Sequence, residues 1–249
     1  MSDDRFKNLD FEGFKALARD ESLEPYERVG FPGSTRAGKE ALILRDLESK
    51  LTNLHLERQV VIDIGSGCSE LTNLLIRHCE ARHHHLILID SAEMLEHLPV
   101  TAGVTRLPAR FPRDCKHLLE QFTRQVDVIL TYSVIQYVFA EANLYEFVDS
   151  AASLLRDGGQ LLIGDIPNSS MRKRFLATAN GLAFHRQYMN TSDPPDIHFN
   201  TLEPREIDDA VMLSLVMRYR AAGFDAFLLP QSPDLPMANR REDLLIRRP

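Results

Sequence analysis

Residues 61–69 read Val-Ile-Asp-Ile-Gly-Ser-Gly-Cys-Ser, an apolar run that carries one acid, Asp63, and breaks into two glycines, Gly65 and Gly67. A short apolar segment bounded by turn residues predicts a buried strand, and the glycines let a turn pass close to a ligand without a side chain in the way. A dinucleotide fingerprint would put a third glycine or alanine where this chain has Glu70. A carboxylate at that helix entrance repels a pyrophosphate. Asp63, two residues before the first glycine, suits instead a ligand that carries positive charge.

Outward from this stretch the same pattern repeats. Strands are predicted at VVIDI (60–64), LILID (86–90), VDVILTY (126–132), QLLIGDI (160–166) and FDAFLLP (224–230), with a weaker one near Val104 to Leu107 and a last one in the closing DLLIRRP. Helical spacing separates them: Leu71, Leu74, Leu75 and Cys79 after the first, then Leu144, Phe147, Val148, Ala151 and Leu155 after the third, up to Gly158. A further helix is expected from near Pro204, with Ile207, Val211 and Leu215 on one face, to Gly223. Strands alternating with helices predict an α/β fold, doubly wound around a mostly parallel sheet covered on both faces.

Two segments fall outside the alternation. Residues 1–56 end in a helix with Leu44, Leu47, Leu51 and Leu54 at core spacing, and residues 167–203 form an insertion rich in Asn, Ser, Pro and His. Long connections of this kind often build binding walls. The division expected is one domain over 1–249: a helical arm and lid (1–56), a ligand-binding half (57–166), an acceptor-site insertion (167–203), and a closing helix and hairpin (204–249).

Composition narrows the classes. With 26% charged residues, a net charge of −7 and no tryptophan, the chain reads as an ordinary globular protein whose acidity argues against a nucleic-acid substrate. No apolar run reaches the roughly 20 residues that span a bilayer, and the acidic start MSDDRFKNLDFEGF has no export signal. Three cysteines, Cys68, Cys79 and Cys115, do not make a disulfide framework, so a cytoplasmic location is expected. The stretch GSTRAGK (33–39) has the glycine and lysine positions of a phosphate-binding loop, but no apolar strand leads into it and Glu40 stands where a hydroxyl would ligate magnesium. His78, Cys79, His83, His84 and His85 are ligand-type residues, yet they sit at the sheet edge away from the strand tips, and adjacent histidines point in different directions. No metal site is expected there.

Taken in order, VIDIGSGCS, LILIDSAEML, VDVILTYSVIQYV and LLRDGGQLLIGDIP resemble the motif series of class I S-adenosylmethionine-dependent methyltransferases over residues 57–166. The resemblance is strongest to small-molecule or sugar methyltransferases of bacterial biosynthetic pathways. It implies a seven-stranded sheet with a terminal antiparallel hairpin and S-adenosyl-L-methionine as cofactor. Gly65, Ser66 and Gly67 would flank the methionine part, with Asp63 near its amino group. Asp90 would hold the ribose, with Ser91 beside it. Met94 and Phe111 would lie against the adenine, and Tyr132 and Ser133 would line the methyl-transfer cleft. Arg36, or else Lys39, would pair with the cofactor carboxylate, a plain surface turn being the alternative for this loop.

The acceptor implied is a small molecule, through a hydroxyl of a sugar or secondary metabolite. A hydroxyl acceptor calls for a base, for which the candidates are Asp165, His185 and His198. Metal-assisted relatives would need carboxylates after both central strands, but Tyr132 fills the earlier place and Asp165 and Asn168 the later, so metal-independent transfer is expected. The alternatives are an RNA or protein modifier docking through Arg172, Lys173 and Arg174, and a non-catalytic cofactor-binding subunit.

Overall fold

The computed structural model describes residues 6, 9–31, 38–201 and 203–249. Three helices, α1 (Phe11–Arg19), α2 (Pro25–Arg28) and α3 (Glu40–Lys50), lead to β1 (Val60–Ile64), α4 (Glu70–Ala81), β2 (His85–Asp90), α5 (Ala92–Glu96) and β3 (Val104–Pro108). The second half runs α6 (Lys116–Phe122), β4 (Val126–Tyr132), α7 (Ile135–Glu141), α8 (Leu144–Leu154) and β5 (Leu155–Pro167). It continues through α9 (Ser169–Leu176), α10 (Ala179–Met189) and α11 (Asp209–Ala221) to β6 (Asp225–Pro230) and β7 (Arg241–Arg247).

The seven strands form one sheet in the order β3-β2-β1-β4-β5-β7-β6. β1 to β5 pair in parallel, and β7 runs antiparallel between β5 and β6. Strand order reverses between β1 and β4, and in such sheets ligands sit outside the carboxyl ends of the strands at that point.

Alternation along each strand divides the core into two layers. Ile62 and Ile64 of β1, with Ile87, Ile89, Ile129 and Ile163, face the side covered by α6, α7, α8 and α11. Val61, Leu86, Leu88, Val128, Leu130 and Leu162 face α3, α4 and α5. Asp63 shares the second face with Val61, so its carboxyl group lies inside the layer that the N-terminal helices cover.

The helix expected from Pro204 begins instead at Asp209, capped by Asp208, whose side chain accepts from the Val211 amide. Ile207 is buried, but from the connecting segment before the helix. The insertion 167–203 is also more regular than its composition suggests. Asn168 caps α9 by accepting from the Met171 amide at 3.1 Å, and Thr178 caps α10 by accepting from the Gly181 amide at 3.0 Å. Side-chain capping of this kind supplies partners to helix-start amides that have no intrahelical acceptor. Among the described residues no helix is long and apolar enough to cross a membrane.

Candidate active site

At the end of β1 the chain turns through Gly65 (φ 74°) and Gly67 (φ 62°). Glycine is required there twice over: the left-handed backbone disfavours a side chain, and a Cβ would stand 2.5 Å from Cγ2 of Val134 at Gly65 and 2.8 Å from Cγ1 of Val29 at Gly67. The turn is tied to the tip of β2. The Gly67 amide donates to Asp90 Oδ2 at 2.8 Å and the Ser91 amide to Asp90 Oδ1 at 2.7 Å. Ser91 in turn caps α5, its hydroxyl accepting from the Met94 amide at 3.3 Å.

These strand tips carry two acids. Burial, reinforced by Asp90, pushes the Asp63 carboxyl up to about 8. Burial also pushes Asp90 up to about 6, against the pull of the two backbone amides that donate to it. Neither acid makes an ion pair with a basic side chain among the described residues. In the same cavity lining the Ser66 hydroxyl is buried with no hydrogen-bond partner among the described residues. Buried polar atoms are nearly always paired, so an orphaned hydroxyl beside two uncompensated acids marks a place for a ligand rich in donors and positive charge.

A cavity of about 650 Å³ opens above these groups. Asp63, Gly65, Ser66, Gly67, Asp90 and Met94 form one end, and Phe111, Tyr132 and Ser133 continue the wall. Phe11, Phe14, Val29 and Phe31 of the N-terminal arm line the cavity as well. The arm is fixed to the segment that follows Asp90: Nε2 of His97 lies 2.7 Å from the Ala18 carbonyl oxygen, Nδ1 of His97 lies 3.3 Å from Arg28, and Arg19 pairs with Glu93. The far wall comes from α7 and the start of α8. There Tyr137 meets Phe14 edge to face at 4.9 Å, and Phe147 meets Phe111 in the same way at 5.3 Å.

The far wall went unread in the sequence. Val134, Tyr137, Val138 and Glu141 follow β4 at helical spacing, and that periodicity was the available signal for a helix presenting one face to the cavity. Ser91 lies beneath the cavity as a cap, and Arg36 falls outside the described residues.

The three candidate bases stand elsewhere. His198 sits in a loop with its side chain 70% exposed and Nε2 2.8 Å from Asp196, and His185 lies on α10, which supplies nothing to the cavity. The insertion as a whole contributes none of the lining among the described residues, because α9 and α10 pack on each other and α9 on α11, away from the β1–β4 crevice. Asp165 lies just under the wall, 1% exposed. Its carboxylate accepts from Arg241 at 2.6 Å, from Gln231 at 3.3 Å and from the Ser133 hydroxyl. Behind it, Asp243 accepts from the Asp165 amide at 2.8 Å and from Lys50 at 2.6 Å.

The ligand-type residues at the opposite end are spent on the fold. His78 lies between Glu48 and the Leu54 carbonyl oxygen at 2.7 and 2.9 Å, and His84 accepts from the Gln59 amide at 3.0 Å.

No family model matches the chain. No curated protein matches it. Solved structures do. The plantazolicin methyltransferase BamL, in complex with a triazolic desmethylPZN analog and S-adenosylhomocysteine (SAH), is 12% identical with a TM-score of 0.56, the match covering 95% of this chain and 97% of that one. A SAM-dependent methyltransferase from Aquifex aeolicus is 11% identical with a TM-score of 0.50, over 90% of this chain and 98% of that one. The CurJ carbon methyltransferase is 13% identical with a TM-score of 0.53 over 95% of this chain, which spans only 64% of that one. The sheet order, the lone antiparallel strand β7 and these likenesses together show that the chain has the fold of class I S-adenosylmethionine-dependent methyltransferases.

Proposed function

We propose that the chain is a methyltransferase that binds S-adenosyl-L-methionine at the tips of β1 and β2 and methylates a small molecule without a metal ion. The observation that carries this reading is the pair of acids Asp63, buried, and Asp90, half-buried, which have no ion pair to a basic side chain among the described residues and share a cavity lining with Ser66, whose hydroxyl is orphaned among the described residues. S-adenosylmethionine supplies a sulfonium-activated methyl group together with a positive charge, an amino group and two ribose hydroxyls. Asp63 offers its carboxylate to the amino group. Each Asp90 oxygen already accepts one amide and keeps a lone pair for a ribose hydroxyl. Met94 and Phe111 supply apolar surface for the base, and the aromatic arm excludes water from the reacting pair.

S-adenosylmethionine, if bound there, would supply a methyl group already activated by its sulfonium centre, and Asp63, Asp90, Met94 and Phe111 are the residues that would hold it. The protein's part is to hold donor and acceptor in line, an effect worth up to about 7–11 kcal/mol.

Two observations support the small-molecule, metal-free reading over its rivals. Arg172 and Lys173 are paired with Glu206 and Glu203 at 3.2 and 3.0 Å, and Arg174 with Asp209, so this basic cluster is neutralised within the protein and offers little to a phosphate backbone. Asp165 is engaged by Arg241, and Asn168 Oδ1 accepts from the Met171 amide at 3.1 Å, so the carboxyl and amide oxygens that would hold magnesium are committed.

Single-turnover assays with methyl-labelled cofactor and a panel of small acceptors test the proposal. Label should move to a small molecule, with no loss in EDTA. Transfer to RNA or protein alone, or activity abolished by EDTA and restored by magnesium, contradicts it.

A further inference from the structure

We infer that the outer face of α11 is a self-association surface, on which a second copy of this chain docks its own α11 antiparallel about a two-fold axis. A helix laid against a sheet ordinarily turns a polar face outward. α4 does so: the large residues it exposes are Glu70, Arg77 and Glu80. α11 does not. It buries Met212, Leu215, Val216 and Tyr219 in the core, yet on its opposite side it exposes Leu213 at 53% and Met217 at 71%. Single exposed apolar residues are common on protein surfaces, but these two stand one turn apart and are continued by the exposed Ala210 and Ala221, which makes a stripe at the spacing of a helix–helix seam.

The stripe has the shape that its own repeat fills. Ser214, Met217, Arg218 and Ala221 stand at i, i+3, i+4 and i+7 and line an open hollow of about 870 Å³. Four residues at that spacing are what receives one projecting side chain from a facing helix. Leu213 is such a projection. Packed antiparallel, each copy seats its Leu213 against Met217 of the other and brings Ala210 opposite Ala221, and the two-fold axis makes both contacts twice.

Charge selects the same orientation. α11 begins with Asp209 and ends with Arg218 and Arg220, so antiparallel pairing sets acid opposite base and aligns the helix dipoles favourably, whereas parallel pairing brings like ends together. Among the described residues Arg220 has no carboxylate partner in its own chain, although it donates to the Ala226 carbonyl oxygen. The rim of the stripe is fixed in advance. Tyr145 of α8 meets Ser214 Oγ at 3.0 Å, and Arg218 lies 4.8 Å over the Tyr145 ring while its Nε donates to Asp149 at 3.0 Å. Side chains already held lose little freedom on association. None of these residues lines the cavity at the strand tips, so the surface is separate from the ligand site.

The test is analytical ultracentrifugation of the full chain from about 1 to 100 μM, the range in which a small interface assembles. The wild-type chain should sediment as a dimer at the top of that range. Leu213→Lys and Met217→Asp should each weaken self-association at least about tenfold, because each puts an unpaired charge into the seam. Circular dichroism and the unfolding temperature of the dilute variants should match wild type, since both residues are exposed in the single copy. An equimolar mixture of the two variants should dimerise again, because the antiparallel register sets the introduced ammonium against the introduced carboxylate. A wild-type chain that stays monomeric throughout overturns the proposal, as does a dimer that either substitution leaves intact. Variants that are monomeric alone and remain so when mixed overturn the antiparallel pairing.

Discussion

Two pairs of aspartates, all buried but the half-buried Asp90, lie at the carboxyl edge of the same sheet, and the described residues treat them in opposite ways. Asp165 and Asp243 sit under β5 and β7 with a guanidinium and an ammonium against them, Arg241 at 2.6 Å and Lys50 at 2.6 Å. Burial raises the Asp243 carboxyl, but Lys50 and the Asp165 amide pull it back. Asp63 of β1 and Asp90 of β2 have no such partner among the described residues, and they rise to about 8 and about 6. A buried acid with a built-in cation belongs to the architecture. A buried acid without one is stable only as the neutral acid or with a ligand that brings the charge. The contrast separates scaffold from site without reference to any relative.

The comparison breaks most visibly if the compensation of the first pair is not real. Arg241→Ala would take the guanidinium away from the buried Asp165 carboxyl group, and breaking a buried ion pair costs about 3–5 kcal/mol. Urea unfolding of the variant should show it, and a loss near zero would mean that Asp165 is not held as described.

The uncompensated pair predicts a pH dependence of the opposite kind. Below about pH 4 Asp63 is protonated both folded and unfolded, so it contributes no penalty. As pH rises from the ordinary 3.8 towards about 8, the unfolded chain ionises while the folded chain holds its proton, and stability falls. The fall is at most about 1.4 kcal/mol per pH unit for this group, joined by Asp90 up to about pH 6. Thermal unfolding without ligand should therefore move to lower temperature between pH 5 and 8, and Asp63→Asn should flatten the trend. Saturating S-adenosylmethionine should recover most at the highest pH.

Asp90→Ala should weaken cofactor binding by about 1–3 kcal/mol, the loss expected when buried partners are left unpaired, and calorimetry reads it directly. The smallest effect belongs to Ser66. Since its hydroxyl is already orphaned, Ser66→Ala should leave the ligand-free protein unchanged or slightly more stable, while SAH affinity drops by about 0.5–1.5 kcal/mol. A clear destabilisation of the ligand-free variant would show that the hydroxyl has a partner within the protein.

Much of the frame was legible because it is local. The predicted strand VVIDI coincides with β1, and the strands at 86–90, 126–132 and 160–166 fall within β2, β4 and β5, since buried parallel strands write themselves as apolar runs between turns. The glycines and acids at those strand ends were legible for the same reason. The helices of the insertion were not. α9 has a polar composition, and its start is marked mainly by the cap Asn168, a residue equally common in loops. The position of His185 and His198 away from the cavity was illegible on a different ground: where an insertion folds back is decided by packing between α9, α10 and α11, which no spacing within 167–203 encodes. The aromatic wall was missed because Phe14 and Tyr137, which touch across the cavity, are far apart in sequence.

The central claim, that the tips of β1 and β2 form a site for a cationic nucleoside, is tested most directly by calorimetric titration of the ligand-free protein with SAH, S-adenosylmethionine and NAD in parallel. The account predicts that both adenosyl ligands bind at one site, that Asp63→Asn weakens both, and that NAD gives no heat of binding, since Glu70 stands at the helix entrance where a pyrophosphate would lie. Tight binding of NAD with none of SAH would contradict it.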